Sequence, residues 1–179
     1  MKNILPIKEV MKIEINGGEK RSWIKTFWLI YSSPEKKAVL YYRIAKKMYE
    51  QNFPIIPLLI KNRLINLYGL HISLKAEVGI GLEFRHINGV IIGDGVKIGK
   101  NVVIYQQVTL GGRNLGDGKR GSYPTIGDNV TLFAGAKVLG EINIGNNSIV
   151  GANSVVTKNI PSNTIAAGVP AKKIKEIHN

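Results

Sequence analysis

The chain contains no cysteine, which excludes a disulfide scaffold, a zinc–thiolate site and a cysteine nucleophile. Only three histidines are present (His71, His86 and His178), too few for a histidine-rich metal centre, and no metal is expected. No apolar run reaches the roughly 18–20 residues of a membrane-spanning helix. The longest, Thr26–Tyr31 and Phe53–Ile60, are far shorter. The first stretch, MKNILPIKEVMKIE, is broken by charge and lacks the apolar segment of a signal peptide. These features fit a cytoplasmic protein. Aromatic residues are scarce at 7%, while glycine reaches 20 of 179 residues, a pairing that points to a repetitive, turn-rich fold. Hydrophobic residues make up 44%, enough to bury a core and to exclude general disorder.

Acidic residues are few as well: 12 against 25 basic ones, for a net charge of +13. Residues 1–65 hold 13 basic and 5 acidic side chains and so carry most of the excess. A positive surface of this kind attracts anionic lipid or phosphorylated ligands, or is simply a solvated face. Nucleic acid is not an expected partner, because no recognition motif accompanies the charge.

The first third reads as helical. Ser33-Pro34-Glu35 is a helix start, with a polar cap, proline in the first turn and an acid behind it. Apolar residues at Val39, Tyr42, Ala45 and Met48 follow at helical spacing, and Asn52-Phe53-Pro54 ends the helix. A second helix runs from Ile55 to about Tyr68, and Asn16-Gly17-Gly18 marks an earlier turn. The stretch Trp23–Tyr31 fits no single element. Its aromatics are expected in a core or a subunit contact, the sharper alternative being a peripheral contact with the inner face of a membrane.

Beyond Tyr68 the aliphatics recur every six residues. One slot holds Leu74, Ile80, His86, Ile92, Ile98, Ile104 and Leu110, then resumes at Ile126, Leu132, Val138, Ile144, Val150 and Val156. A six-residue period fits neither a helix nor an alternating strand. It marks a parallel β-helix, mainly β, in which three hexapeptides make one triangular coil. Residues 68–110 and 126–168 each supply about 2.4 coils of roughly 18 residues, so the stack has about five coils and stands roughly 24 Å tall at strand spacing. The division is an N-terminal helical region (1–67), a β-helix (68–170) and a C-terminal tail (171–179). The insert Gly111–Pro124, with its glycines and basic residues, leaves the stack as a loop over 111–124. His86 stands out because it occupies an aliphatic slot. Either it is a hydrogen-bonded core or corner residue, or it is a general base suited to neutral pH.

Segment His71–Lys175 resembles the hexapeptide-repeat acyltransferases, and among them serine acetyltransferase. The resemblance rests on His86-x-x-Gly89-Val90-Ile91-Ile92, on Gln106-x-Val108-Thr109-Leu110-Gly111-Gly112, on Ala134-Gly135-Ala136-Lys137-Val138-Leu139-Gly140 and on Gly168-Val169-Pro170-Ala171. It implies a left-handed β-helix, a homotrimer and acetyl-CoA as co-substrate, with His86 deprotonating the acceptor hydroxyl. It assigns Ala134 and Ala152, stacked 18 residues apart, with Thr157, Lys158, Lys172 and Lys175, to coenzyme A. Three positions depart from the family pattern. The aspartate that pairs with the catalytic histidine is replaced by His71, 15 residues before His86. The acid preceding that histidine is Arg85, and the histidine that ends the loop is Tyr123. An amino-acid ammonium meeting Arg85 is unfavourable. The acceptor is therefore expected to be a sugar hydroxyl in polysaccharide biosynthesis, free or lipid-linked, contacted by Arg85, Asn88, Gln106 and Tyr123. L-Serine is the alternative acceptor, and a non-catalytic β-helix scaffold is the alternative of another class.

Overall fold

Short apolar steps separated by turn residues cannot form long strands, and the computed structural model, which describes residues 6–178, folds them into two- to six-residue strands stacked in coils. The first coil comprises β1 (His71–Ile72), β2 (Glu77–Val78) and β3 (Glu83–Arg85). The second has β4 (Ile91–Ile92), β5 (Lys97–Ile98) and β6 (Val103–Tyr105). The third has β7 (Thr109–Gly111), β8 (Thr125–Ile126) and β9 (Thr131–Leu132), and the fourth has β10 (Lys137–Leu139), β11 (Asn143–Ile144) and β12 (Ile149–Val150). The last is β13 (Val155–Val156) with β14 (Thr164–Gly168), and β15 (Ala171–Glu176) turns back antiparallel along β14.

Three parallel faces result. The first is β1-β4-β7-β10-β13, the second β2-β5-β8-β11, and the third β3-β6-β9-β12-β14 with β15 at its end. Inside, one aliphatic stands on the next: Ile72 under Ile92, Ile92 under Leu110, Leu110 under Val138 and Val138 under Val156. Each is buried. The corner between the second and third faces is turned by Asn101, Asn129, Asn147 and Asn163, all with φ from 54° to 58°. Asparagine tolerates this left-handed conformation. Their side-chain amides form a ladder of hydrogen bonds at 3.1, 3.0 and 2.9 Å.

The six-residue step slips at the end of the first coil. Phe84 stands under Ile104, yet eight residues separate Phe84 from the next interior position, Ile92. The interior slot of the first coil is therefore Ile72, Val78 and Phe84, not Leu74, Ile80 and His86 as the sequence pattern suggests. Two extra residues, His86 and Ile87, sit at the corner between the third and first faces. Ile87 turns inward and is buried, while His86 is exposed with φ of 56°.

Before the coils come α1 (Ile7–Val10), a π-helical turn (Met11–Ile15), α2 (Trp23–Ser32), α3 (Pro34–Glu50) and α4 (Ile56–Tyr68). Ser22 and Ser33 cap α2 and α3 through their hydroxyl oxygens, which accept from Lys25 N and Lys36 N. Gly69, with φ of 59°, closes α4. The helix α3 lays Ala38, Val39 and Tyr42 on the open end of the coils, in one core with Leu70, Ile72 and Leu82. The contact is fixed by charge. Arg43 Nε and Nη2 donate to the two Glu14 oxygens at 3.0 and 2.5 Å, and its Nη1 and Nη2 donate to the carbonyls of Val78 and Gly79 at 2.8 and 2.6 Å. Glu14 Oε1 also accepts from Gly81 N and Leu82 N at 2.9 and 3.0 Å.

The Trp23–Tyr31 stretch is the helix α2, and its aromatics are outside the core of this chain. Trp23, Phe27, Trp28 and Tyr31 are all more than 60% exposed. No helix among the described residues is long and apolar enough to cross a membrane.

The insert leaves the stack between β7 and β8 as expected and contains a short helix, α5 (Asp117–Arg120). Asp117 is buried, and its Oδ2 accepts from Arg113 N at 2.8 Å and Asn114 N at 2.7 Å. These backbone donors hold the Asp117 carboxyl below its usual range. The anchor is therefore complete at neutral pH and is lost as pH falls through that depressed value.

Two outcomes are expected. Glu14→Ala leaves a buried guanidinium without its counter-charge and two backbone N–H groups without partners, and should cost about 3–5 kcal/mol in a denaturant titration. Asp117→Ala should raise the rate of tryptic cleavage after Lys119 or Arg120 about tenfold, while the thermal midpoint of the β-helix holds, because loops open locally.

Candidate functional site

The helical region and the first coil enclose a cleft of about 780 Å³. Its walls combine the turn residues Gly17 and Gly18, the start of α3 (Ser33, Glu35, Lys36) and the strand β3 with His86 behind it. Strand alternation explains the charge pattern. Phe84 points into the stack, so Glu83 and Arg85 share the outer face of β3. Their side chains pair, Arg85 Nε to Glu83 Oε1 at 2.8 Å, and each is about half exposed. His86 follows directly, turned outward by the two-residue insertion. Across the cleft, Lys36 Nζ donates to the carbonyls of Ile15 and Glu14 at 2.6 and 3.3 Å. Burial pushes Lys36 below the usual lysine range, and the nearby Glu83 offsets part of that shift.

The corner that carries His86 continues up the molecule as an edge. Gln107 N donates to Asn88 O at 2.9 Å, Gly135 N to Gln106 O at 2.9 Å and Asn153 N to Ala134 O at 2.8 Å. Asn88, Gln106, Ala134 and Ala152 thus lie on successive coils along the edge between the third and first faces. The turn from β14 to β15 covers its far end, with Gly151 N donating to Ala166 O at 2.8 Å. Lys172, paired with Ala167, stands beside that turn, and Lys175, paired with Ile165, lies further along β15. Gln106 Oε1 is buried without a partner among the described residues.

The other expected site residues lie elsewhere within one chain. Thr157 and Lys158 follow β13 and sit at the corner between the first and second faces. His71 is exposed at the start of β1, and no hydrogen bond joins its side chain to that of His86 among the described residues. Tyr123 lies at the corner between the first and second faces, away from the cleft. Its ring covers Gly93 and Gly95, where a Cβ would come within 2.8 and 2.3 Å of it. Glycine at both positions makes room for the ring, so Tyr123 seals the base of the loop in this chain.

Sequence reasoning passed over Glu83 and the helical wall of the cleft. Charges on the outer face of a strand are ordinary, and only the i, i+2 spacing of Glu83 and Arg85 beside His86 carried a signal. Lys36 and the Gly17-Gly18 turn reach the site through tertiary contacts alone. Among the described residues no cluster of side chains could hold a metal ion.

Two family models match the chain: the bacterial transferase hexapeptide (six repeats) over residues 123–158, and the hexapeptide repeat of succinyl-transferase over residues 76–106. A serine acetyltransferase from Staphylococcus xylosus is 41% identical over 151 residues, which are 84% of this chain and 69% of the relative. One from Synechococcus elongatus is 41% identical over 141 residues, 79% of this chain and 57% of the relative, so the chain spans little more than half of that protein's length. Among solved structures, the Brucella abortus serine acetyltransferase in complex with coenzyme A superposes with a TM-score of 0.80 at 29% identity, covering 98% of this chain and 68% of that one.

These relatives overturn the expected sugar acceptor. The expectation rested on three departures, at His71, Arg85 and Tyr123, and its electrostatic part, Arg85 repelling an ammonium group, counted that one charge without its neighbours. In the structure a carboxylate, Glu83, lies against that guanidinium in the same cleft. The coils, the cleft beside His86 and the similarity over four fifths of the sequence agree: the chain belongs to the serine acetyltransferase family of hexapeptide-repeat transferases.

Proposed function

We propose that this protein is a serine O-acetyltransferase, moving the acetyl group of acetyl-CoA to the hydroxyl of L-serine. The observation that carries the reading is the 41% identity to serine acetyltransferases over a span that includes His86 and the cleft it faces. His86 accepts the proton of the serine hydroxyl as the oxygen attacks the thioester carbonyl. The C–S bond then breaks, and the coenzyme A thiolate leaves and takes up the proton. Acetyl-CoA lies along the edge from His86 towards Lys172. The small side chains of Ala134 and Ala152 leave that edge open for the pantetheine arm, and Lys172 meets the phosphates. A homotrimer suits the reading, because Ile91 and Phe133, 44% and 36% exposed, give outer apolar surface for a neighbouring subunit to cover.

Thiol release from acetyl-CoA with L-serine tests the reading. His86→Ala should lower kcat/KM about 10²- to 10⁴-fold while coenzyme A still raises the thermal midpoint. No turnover with L-serine, or an undiminished rate in the variant, would overturn it.

A further inference from the structure

The acceptor-recognising side chains follow from the charges around the cleft, on the reading that the acceptor is L-serine. Four charged groups besides His86 and the buried Glu14 line the cleft: Glu35, Lys36, Glu83 and Arg85. Two are committed to the helical region. Ser33 Oγ donates to Glu35 Oε2 at 3.1 Å, and Lys36 Nζ is held by the carbonyls of Glu14 and Ile15. Glu83 and Arg85 have only each other among the described residues, through one contact at 2.8 Å that uses Nε and leaves the terminal amines of Arg85 free. An ion pair this exposed adds little to the stability of a fold.

We propose that Glu83 and Arg85 are the specificity-determining pair of this enzyme, Glu83 taking the ammonium group of L-serine and Arg85 its carboxylate. The two residues are i and i+2 on β3, about 7 Å apart along the strand on the same face. An α-amino acid carries its opposite charges on one carbon. Laid against the pair in the reverse sense, each charge meets its opposite, and the guanidinium offers a fork to the carboxylate. The next residue in the chain is His86, which places the base beside the carbon that bears the hydroxyl. The charge reversal at position 85 is thus accompanied by a carboxylate two residues earlier, and the site keeps one group of each sign.

The test is steady-state kinetics of Glu83→Gln and Arg85→Gln with three acceptors: L-serine, 3-hydroxypropanoate (no ammonium) and ethanolamine (no carboxylate). Glu83→Gln should raise KM for L-serine about 10- to 100-fold, more than it changes kcat, and lower the preference for L-serine over 3-hydroxypropanoate by a similar factor. Arg85→Gln should do the same to the preference over ethanolamine. Glu83→Asp should keep most of the discrimination, and thermal midpoints should confirm that each variant is folded. A purely structural pair would weaken all three acceptors equally, and unchanged preference ratios would overturn the inference while the wild type still acetylates L-serine. A wild type inactive with L-serine would instead remove the functional reading itself, and this inference with it.

Discussion

Glu14 has no water to share its charge, and its carboxylate accepts four hydrogen bonds, two from Arg43 and two from the backbone at Gly81 and Leu82. Arg43 in turn satisfies two carbonyls of the first coil, at Val78 and Gly79. The pair therefore ties three segments that are remote in sequence. It joins the N-terminal π turn, the middle of α3 and the corner that leads into β3. Any rotation of α3 against the coils would leave a buried charge or several buried backbone groups unpaired, which is costly in a medium of low dielectric. The cleft depends on that clamp, because Lys36 and the Gly17-Gly18 turn form one wall and β3 with His86 forms the other.

The opposite wall owes its chemistry to an irregularity. Counted back in a six-residue step from Ile92, position 86 would fall in the narrow interior, where an imidazole would lose its water. The two-residue insertion at His86 and Ile87 divides the task. Ile87 closes the core at the corner, and His86 is turned out in a left-handed conformation. The same corner, regular again in the coils above, supplies a continuous edge from the cleft to the turn between β14 and β15.

Much of this was legible in the residues. The six-residue period gives the coils, their number and the loop at 111–124, since a helix or an alternating strand would bury its aliphatics at other spacings. Ser33-Pro34 places the start of α3 within the sequence itself, as local capping does. The site was legible in part. The HxxG spacing singled out His86, but the period alone put it in the interior, because a repeat read forward cannot register an insertion until the partner strands fix which residue stands under which. Tyr123 stands where the family resemblance puts an acceptor contact, and within this chain its packing on Gly93 and Gly95 was not legible, because it depends on the neighbouring corner.

The question of acceptor shows the same division. The expectation of a sugar acceptor took His71, Arg85 and Tyr123 one by one, and the charge at position 85 cannot be weighed that way, because electrostatics is a property of the assembled site and not of a position. Glu83 cancels the charge of Arg85 only because β3 is a strand, which brings alternate residues to one face. By itself the sequence determined the repeating coil, through periodic burial, and singled out His86, through its place in the repeat and in a family motif. Tertiary structure alone decided that His86 faces a cleft, that Glu14 and Arg43 hold that cleft together, and that a carboxylate and a guanidinium stand side by side within it, because these depend on contacts between residues as many as 68 apart in the chain.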